Sequence, residues 1–146
     1  GGRITITQAM GRFVLADASR PSVFVATGVG VAPFASIAAA ALAAGYDKRT
    51  ELLFGVRHEQ DFFSTDVFKR LASAHPNFTF TPSLTQPTES WAGACGRVTQ
   101  QLQDRAHELS GAVFYLCGGV EMVKSCRALL LGLGVPPTDI KLEVFS

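Results

Sequence analysis

The sequence predicts an α/β fold: an open, doubly wound, five-stranded parallel sheet with helices on both faces, in the strand order 3-2-1-4-5. Short apolar runs rich in β-branched and aromatic residues alternate with longer segments of helical spacing. Glycine turns follow the first and fourth of these runs, and right-handed crossovers bring such strands side by side in parallel. The 146 residues, 47% of them hydrophobic and 17% charged, suffice for one such domain.

The first strand and helix are separated by a glycine turn. Ser22–Thr27 is short and rich in β-branched and aromatic side chains, as is typical of a buried strand. Gly28 and Gly30 interrupt it. An alanine-rich helix is predicted at Pro33–Ala44, since proline is tolerated in a first turn.

The later segments repeat this alternation. Ser64 or Thr65 is a suitable helix cap, Pro82 ends a strand, and Gly111 stops a helix. The predicted elements are a strand at Thr50–Val56, a helix at Ser64–Ala74, a strand at Asn77–Thr81, a long loop at Ser83–Gly96, a helix at Arg97–Leu109, a strand at Ala112–Cys117, a helix at Val120–Leu131 and a strand at Ile140–Phe145.

The first twenty residues do not fit this scheme. Arg3–Thr7 alternates polar and apolar residues, and Gly11–Leu15 resembles a second short strand. We therefore divide the chain into 1–20, the end of a preceding unit, and 21–146, the α/β domain.

Composition excludes several classes of function. Lys and Arg number 13 and Asp and Glu 12, so a net charge of +1 indicates no nucleic-acid partner. Three cysteines without a CxxC motif suggest free thiols in a reducing, cytoplasmic compartment. The uncharged stretch from Pro21 to Tyr46 is broken by glycines, and we expect no membrane span. The scattered histidines give no metal motif.

The first glycine turn can bind an anion. Gly28 and Gly30 stand at a strand's carboxyl end, where parallel sheets bind ligands, and the following helix presents free N–H groups. The GxGxxG pattern fails at its third glycine, where Pro33 stands. A glycine-rich turn without a ligand is therefore the alternative.

The second glycine turn is Cys117-Gly118-Gly119. If the first and fourth strands are neighbours, both turns flank one crevice and Cys117 faces it. Its sulfur would then pack against a flat ring or act as a thiolate; the alternative is a buried cysteine at a strand end. A nucleophile elbow would need glycine at position 115, which is Tyr115.

The loop after the second strand is ambiguous. In a dinucleotide fold, an acid there favours a free ribose 2′-hydroxyl and a base accommodates a 2′-phosphate. Arg57 comes first, and Glu59 and Asp61 follow.

Taken together, these segments resemble the ferredoxin–NADP reductase superfamily of flavin-dependent pyridine nucleotide oxidoreductases. The resemblance covers nearly the whole chain in order. Its five motifs are TGVGVAP at 27–33; LLFGVR at 52–57 with Asp61 and Phe63; SLTQP at 83–87 with Trp91, Gly93 and Gly96-Arg97-Val98; Leu116-Cys117-Gly118 with Glu121-Met122-Val123; and Glu143-Val144-Phe145.

The resemblance implies that NADH or NADPH lies across the carboxyl edge of the sheet. Cys117, Glu143 and Phe145 would support hydride transfer from nicotinamide to FAD. The implied cofactor-binding residues are Phe13, Thr27, Gly28, Gly30, Pro33, Arg57, Thr85, Gln86, Gly118, Gly119, Glu121 and Met122.

The chain also departs from the family. Many relatives have proline where Gly119 stands. Many NADPH-selective relatives have arginine where this chain has Thr85-Gln86. Although Arg57 could accommodate a 2′-phosphate, the missing arginine at 85–86 tilts the expected coenzyme toward NADH. The R-x-Y-S/T flavin motif is missing. Residues 1–20 resemble only the end of the family's FAD-binding β-barrel domain plus a linker, leaving 21–146 as the NAD(P)-binding domain.

The resemblance implies a flavin reductase whose FAD lies on a domain absent from this chain, so that the chain alone is incomplete for turnover. Electrons would pass to an iron–sulfur or haem acceptor. Two alternatives remain open: a nucleotide-binding regulatory module without redox turnover, and a thiol enzyme using Cys117.

Overall fold

A computed structural model describes residues 15–145 of the chain. Its sheet is parallel and six-stranded, in the order β4-β3-β2-β1-β5-β6. The elements are β1 Ser22–Thr27, α1 Ala32–Ala43, β2 Thr50–Val56, α2 Thr65–Ala74, β3 Phe78–Leu84, β4 Ala94–Cys95, α3 Val98–Arg105, β5 Val113–Gly119, α4 Val120–Gly132 and β6 Ile140–Phe145.

The predicted fold class and strand order are confirmed. The five predicted strands are β1, β2, β3, β5 and β6, and they lie in the order 3-2-1-4-5. Successive strand residues point to opposite faces. Phe24 and Ala26 of β1 therefore pack with α1 and α2, whereas Val23 and Val25 pack with α3 and α4.

The segment after β2 and α2 differs from the prediction. The third strand does not stop at Thr81 but runs to Leu84, and a sixth strand, β4, forms within the predicted loop. Pro82 is tolerated because β4 pairs only with Ser83 and Leu84, which leaves the edge of β3 open at Pro82. The predicted helix at Arg97–Leu109 is also shorter, since it passes at Ala106–Glu108 into a 3-10 turn.

The segment before β1 is tied to the domain. Leu15 is buried in the core, and the N–H of Ala16 donates to the hydroxyl of Tyr115 at 2.8 Å. The Arg20 guanidinium binds both carboxylate oxygens of Asp139, at 2.8 and 2.9 Å. The predicted strand at Arg3–Thr7, most of Gly11–Leu15, and Phe13 lie outside the described residues, so the division at residue 20 stays a prediction.

Within residues 15–145, no helix combines the length and apolar character that a membrane crossing requires.

Candidate functional site

A cleft of about 870 Å³ opens at the carboxyl edge of the sheet, beside α3 and α4. Thr27 and Gly55 lie opposite each other in the register of β1 and β2. The lining residues are Thr27, Gly28, Gly55, Val56, Arg57, His58, Asp61, Thr85, Arg97, Val98, Thr99, Glu121, Met122 and Ser125. Parallel α/β sheets bind ligands at this edge because the connections diverge there.

The first glycine turn uses its two glycines differently. Gly28 lines the cleft with a φ of +54°, and a Cβ atom there would meet no atom within 4 Å. A Cβ on Gly30 would stand 2.2 Å from the carbonyl oxygen of Cys117. Gly30 therefore lets the turn pack against β5, and neither it nor Pro33, which is buried in the first turn of α1, lines the cleft.

The second glycine turn interlocks with the first. β1 and β5 are neighbours, as the two-turn crevice requires, with Ala26 opposite Cys117. A Cβ on Gly118 would lie 2.4 Å from Oγ1 of Thr27 and 2.7 Å from Cε of Met122. Gly118 is buried, whereas Gly119 is exposed and precedes α4; neither lines the cleft.

Cys117 and Glu143 lie opposite each other on β5 and β6. The Cys117 side chain is 0% exposed and does not line the cleft that the sequence analysis expected it to face. Burial, reinforced by the Glu143 carboxylate, raises its pKa to about 12. A protonated, buried sulfur is a poor nucleophile, so the structure argues against the thiol-enzyme alternative. The third residue predicted to support hydride transfer is Phe145, whose backbone lies opposite Gly119.

The end of the cleft beside the loops that follow β2 and β3 carries positive charge. Arg57 and Arg97 both line it, next to His58. Within the described part of the chain, neither guanidinium has an ion-pair partner. The one carboxylate in this loop that lines the cleft, Asp61, accepts a hydrogen bond from the N–H of His58 at 3.0 Å. Two unpaired arginines in a cleft favour an anionic ligand.

The two residues predicted from the loop after β3 separate. Thr85 lines the cleft, whereas Gln86 is exposed and does not. The backbone N–H of Gln86 donates to the carbonyl of Arg57 at 2.9 Å, which ties this loop to the one after β2.

The opposite wall comes from α4. Its residues Glu121, Met122 and Ser125 line the cleft. Met122 packs against the apolar cluster beneath the helix, and the thiol of buried Cys126, one turn further along α4, lies 3.6 Å from its sulfur. Among residues 15–145, no group of three or more His, Cys, Asp or Glu side chains lies close enough together to hold a metal ion.

Sequence reasoning missed part of the lining. The missed residues are Gly55, Val56, His58, Arg97, Val98, Thr99 and Ser125, whereas Asp61 is one of the two acids noted in the loop after the second strand. A Cβ on Gly55 would lie 2.6 Å from Cγ1 of Val98, so the strand and helix touch where the cleft begins. The Gly96-Arg97-Val98 motif marked this region, but it carried no role for Arg97.

The family comparison agrees with this geometry. Residues 24–128 match the sequence profile of the oxidoreductase NAD-binding domain family. The chain belongs to this family. The match begins in β1 and ends in α4, so the NAD-binding domain contains every residue that lines the cleft.

The chain is also similar to named reductases and electron transfer components. It is 35% identical over 133 residues to ferredoxin–NADP reductase B of Sorangium cellulosum, covering 86% of this chain and 54% of the relative. It is 26% identical to the toluate 1,2-dioxygenase electron transfer component of Pseudomonas putida, covering 100% of this chain and 43% of the relative. The chain thus spans about half the length of these relatives.

A solved structure supports the same assignment. The crystal structure of an Amycolatopsis cytochrome P450 reductase matches with a TM-score of 0.80 and 29% identity, over 89% of this chain and 39% of that one.

Proposed function

We propose that this domain binds NADH or NADPH and presents the nicotinamide for hydride transfer to FAD. The carrying observation is the cleft itself, which starts at the Thr27-Gly28 turn and ends at two unpaired arginines. The pyrophosphate would lie at the turn, the adenosine toward Arg57 and Arg97, and the nicotinamide toward Cys117 and Gly118.

The residues present fit a dinucleotide. The cleft volume of about 870 Å³ is within the roughly 300–1,000 Å³ usual for ligand pockets. Gly28 leaves open space where a side chain would stand, so a phosphate can approach the backbone. The α1 helix begins just after this turn, and a helix N-terminus favours negative charge.

At the nicotinamide end, this chain holds a neutral sulfur beside a carboxylate. The raised pKa keeps the proton on Cys117, so the buried sulfur places no negative charge beneath a nicotinamide ring lying over this strand end. Glu143 and Phe145 end the neighbouring strand, and we assign them to the same end. Gly119 and Glu121 flank this region at the start of α4.

When bound, NAD(P)H would supply the hydride that FAD accepts. The protein contributes alignment of the two rings and exclusion of water. The names of the relatives support onward delivery of electrons to an iron–sulfur or haem acceptor. Cys95, Cys117 and Cys126 are all free thiols, which supports a reducing, cytoplasmic location.

Calorimetry with NADH, NADPH and 5′-AMP tests the binding step. We expect all three ligands to bind, and Gly28→Val to weaken them strongly because its side chain would fill the phosphate-facing space. Gly45→Val is the matched control: Gly45 also has a positive φ and open space around it, but lies outside the cleft. Absence of binding by the natural chain would exclude the proposed function.

Flavin reduction separates the reductase from a regulatory module. With a flavin domain joined or added, NADH should bleach the flavin absorbance, and Cys117→Ser should slow this step while leaving coenzyme affinity nearly unchanged. A chain that binds coenzyme but never reduces flavin would favour the regulatory alternative. A Cys117→Ser variant with unchanged rate would remove Cys117 from the mechanism.

A further inference from the structure

The C-terminal end of α3 forms an ion pair with a buried carboxylate. Glu51, the second residue of β2, is 1% exposed, and Arg105 at the end of α3 forms an ion pair with its Oε1. Arg49 reaches the other oxygen, with 2.9 Å between its Nη2 and Oε2 of Glu51. Arg49 also lies 3.8 Å from the exposed Glu108, so two arginines balance two glutamates here. Removing one cationic partner from a buried carboxylate is strongly destabilising, because it leaves buried charge uncompensated.

The helix is also held by apolar packing. α3 is eight residues long, and its buried residues, Val98 and Leu102, belong to the cluster through which it packs against α4 and β1. Near its start, Nε2 of Gln101 donates to the carbonyl of Cys95 at 2.9 Å. A helix of this length is not stable by itself, so its position depends on these contacts.

The near end of α3 forms a wall of the cleft. Arg97, Val98 and Thr99 all line it, and Val98 closely approaches Gly55. Gly55 and Glu51 are four residues apart on β2, so they share a face and stand roughly 13 Å apart. An eight-residue helix is about 12 Å long. α3 therefore lies along β2 and meets it at both ends, Val98 on Gly55 and Arg105 on Glu51.

We infer that Glu51 and Arg105 are positioning residues for coenzyme binding, although neither touches the cleft. Their contact holds α3 at the angle that places Arg97 and Thr99 against the ligand. This inference rests on the proposed function, because the affinity that it affects is the affinity for NAD(P)H. It concerns the adenosine end of the cleft, where the start of α3 lies beside Arg57 and Thr85.

The test uses Arg105→Met, which keeps an apolar stem but removes the charge. We expect it to weaken binding of both NADH and 5′-AMP about fivefold, measured well below the melting temperature of each variant. Amide hydrogen exchange over residues 98–102 should accelerate. The matched control is Glu108→Gln, which removes the exposed member of the same cluster; its affinity should stay within about twofold of the natural chain.

Rescue distinguishes positioning from an electrostatic effect at the cleft. The double variant Glu51→Leu, Arg105→Met replaces the ion pair by an apolar contact, and it should restore both affinity and slow exchange. If Arg105→Met does not fold, Glu51→Gln gives the same test, with weakened binding expected.

Normal affinity in a folded Arg105→Met or Glu51→Gln variant would overturn the inference, and so would a folded double variant with slow exchange but weak binding. Failure of the natural chain to bind any ligand would instead overturn the proposed function. In that case, amide hydrogen exchange over residues 98–102 would still report whether Arg105 holds α3. If exchange in Arg105→Met were no faster than in the natural chain, the positioning role would be overturned as well.

Discussion

Gly30 lies directly against the main chain of Cys117: a Cβ on Gly30 would stand 2.2 Å from the Cys117 carbonyl oxygen and 2.8 Å from Cα of Gly118. The obstructing atoms belong to the backbone of β5, so they cannot rotate away as a flexible side chain would. The contact joins the two glycine turns at the carboxyl edge of the sheet. The geometry of the cleft thus depends on a residue that does not line it.

Replacing Gly30 by alanine should destabilise the fold and distort the cleft. Overpacking against fixed backbone costs about 3 kcal/mol, and the turn must shift to relieve it. Urea unfolding and calorimetry with NADH measure the two effects. Gly132→Ala is the control, because this helical glycine has no atom within 4 Å of the added Cβ. Full stability in Gly30→Ala would contradict the close packing.

Alkylation should distinguish the three cysteines. Cys95 is exposed, whereas Cys117 and Cys126 are buried thiols whose pKa burial raises to about 12. At neutral pH, iodoacetamide should modify Cys95 alone in the folded chain and all three in denaturant, as read by peptide mass spectrometry. Modification of Cys117 at the rate of Cys95 would revive the thiol-enzyme alternative.

Stability should decline in alkaline solution. The two buried thiols have a pKa near 12 in the folded chain, against the ordinary 9.0. Below that ordinary value both states hold the protons, and stability is unaffected. Between about 9 and 12 the unfolded state loses protons first and is favoured, by up to roughly 1.4 kcal/mol per pH unit for each thiol.

Urea unfolding from about pH 8 to about pH 10 measures this decline. Cys126→Ala should reduce its slope, since one of the two thiols is removed. Cys95→Ala should leave the slope unchanged. Equal slopes for all three chains would show that the buried thiols do not contribute to it.

Loss of either cleft arginine should weaken NADPH more than NADH. A charge-assisted hydrogen bond to a ribose 2′-phosphate contributes about 1.5–3 kcal/mol, so Arg57→Ala and Arg97→Ala should each cost NADPH about tenfold or more. Arg70→Ala on α2 is the control, because Arg70 is exposed and lies outside the cleft. Equal losses for both coenzymes would assign the arginines to the shared phosphates, in keeping with the NADH preference that Thr85 and Gln86 suggest.

Much of the fold could be predicted from local pattern. Apolar runs and glycine turns located β1, β2, β5 and β6 almost to the residue, because each is bounded by turn residues. The end of β3 could not be predicted, since Pro82 is a strand breaker except where an edge lies open. The two-residue β4 has no pattern of its own and depends on pairing with β3.

Within the candidate site, the local sequence identified the turn at Thr27 and Gly28 that lines the cleft. It also identified Arg57 as a possible partner of a 2′-phosphate, although the acids that follow it left the coenzyme undecided. Family motifs added Thr85, Glu121 and Met122. The sequence did not reveal that Arg97 lines the same cleft as Arg57, because the two residues are far apart in sequence and share the cleft only once α3 lies along β2.

The sequence by itself determined the fold class and the position of the glycine turns, because these follow from short-range periodicity and backbone preference. Only the tertiary structure decided what each glycine does: Gly28 faces the cleft and Gly30 faces Cys117, although both stand in one motif. It also decided that the Cys117 sulfur keeps its proton and that Glu51 meets Arg105. Those outcomes depend on burial and on contacts between distant elements, which no local pattern records.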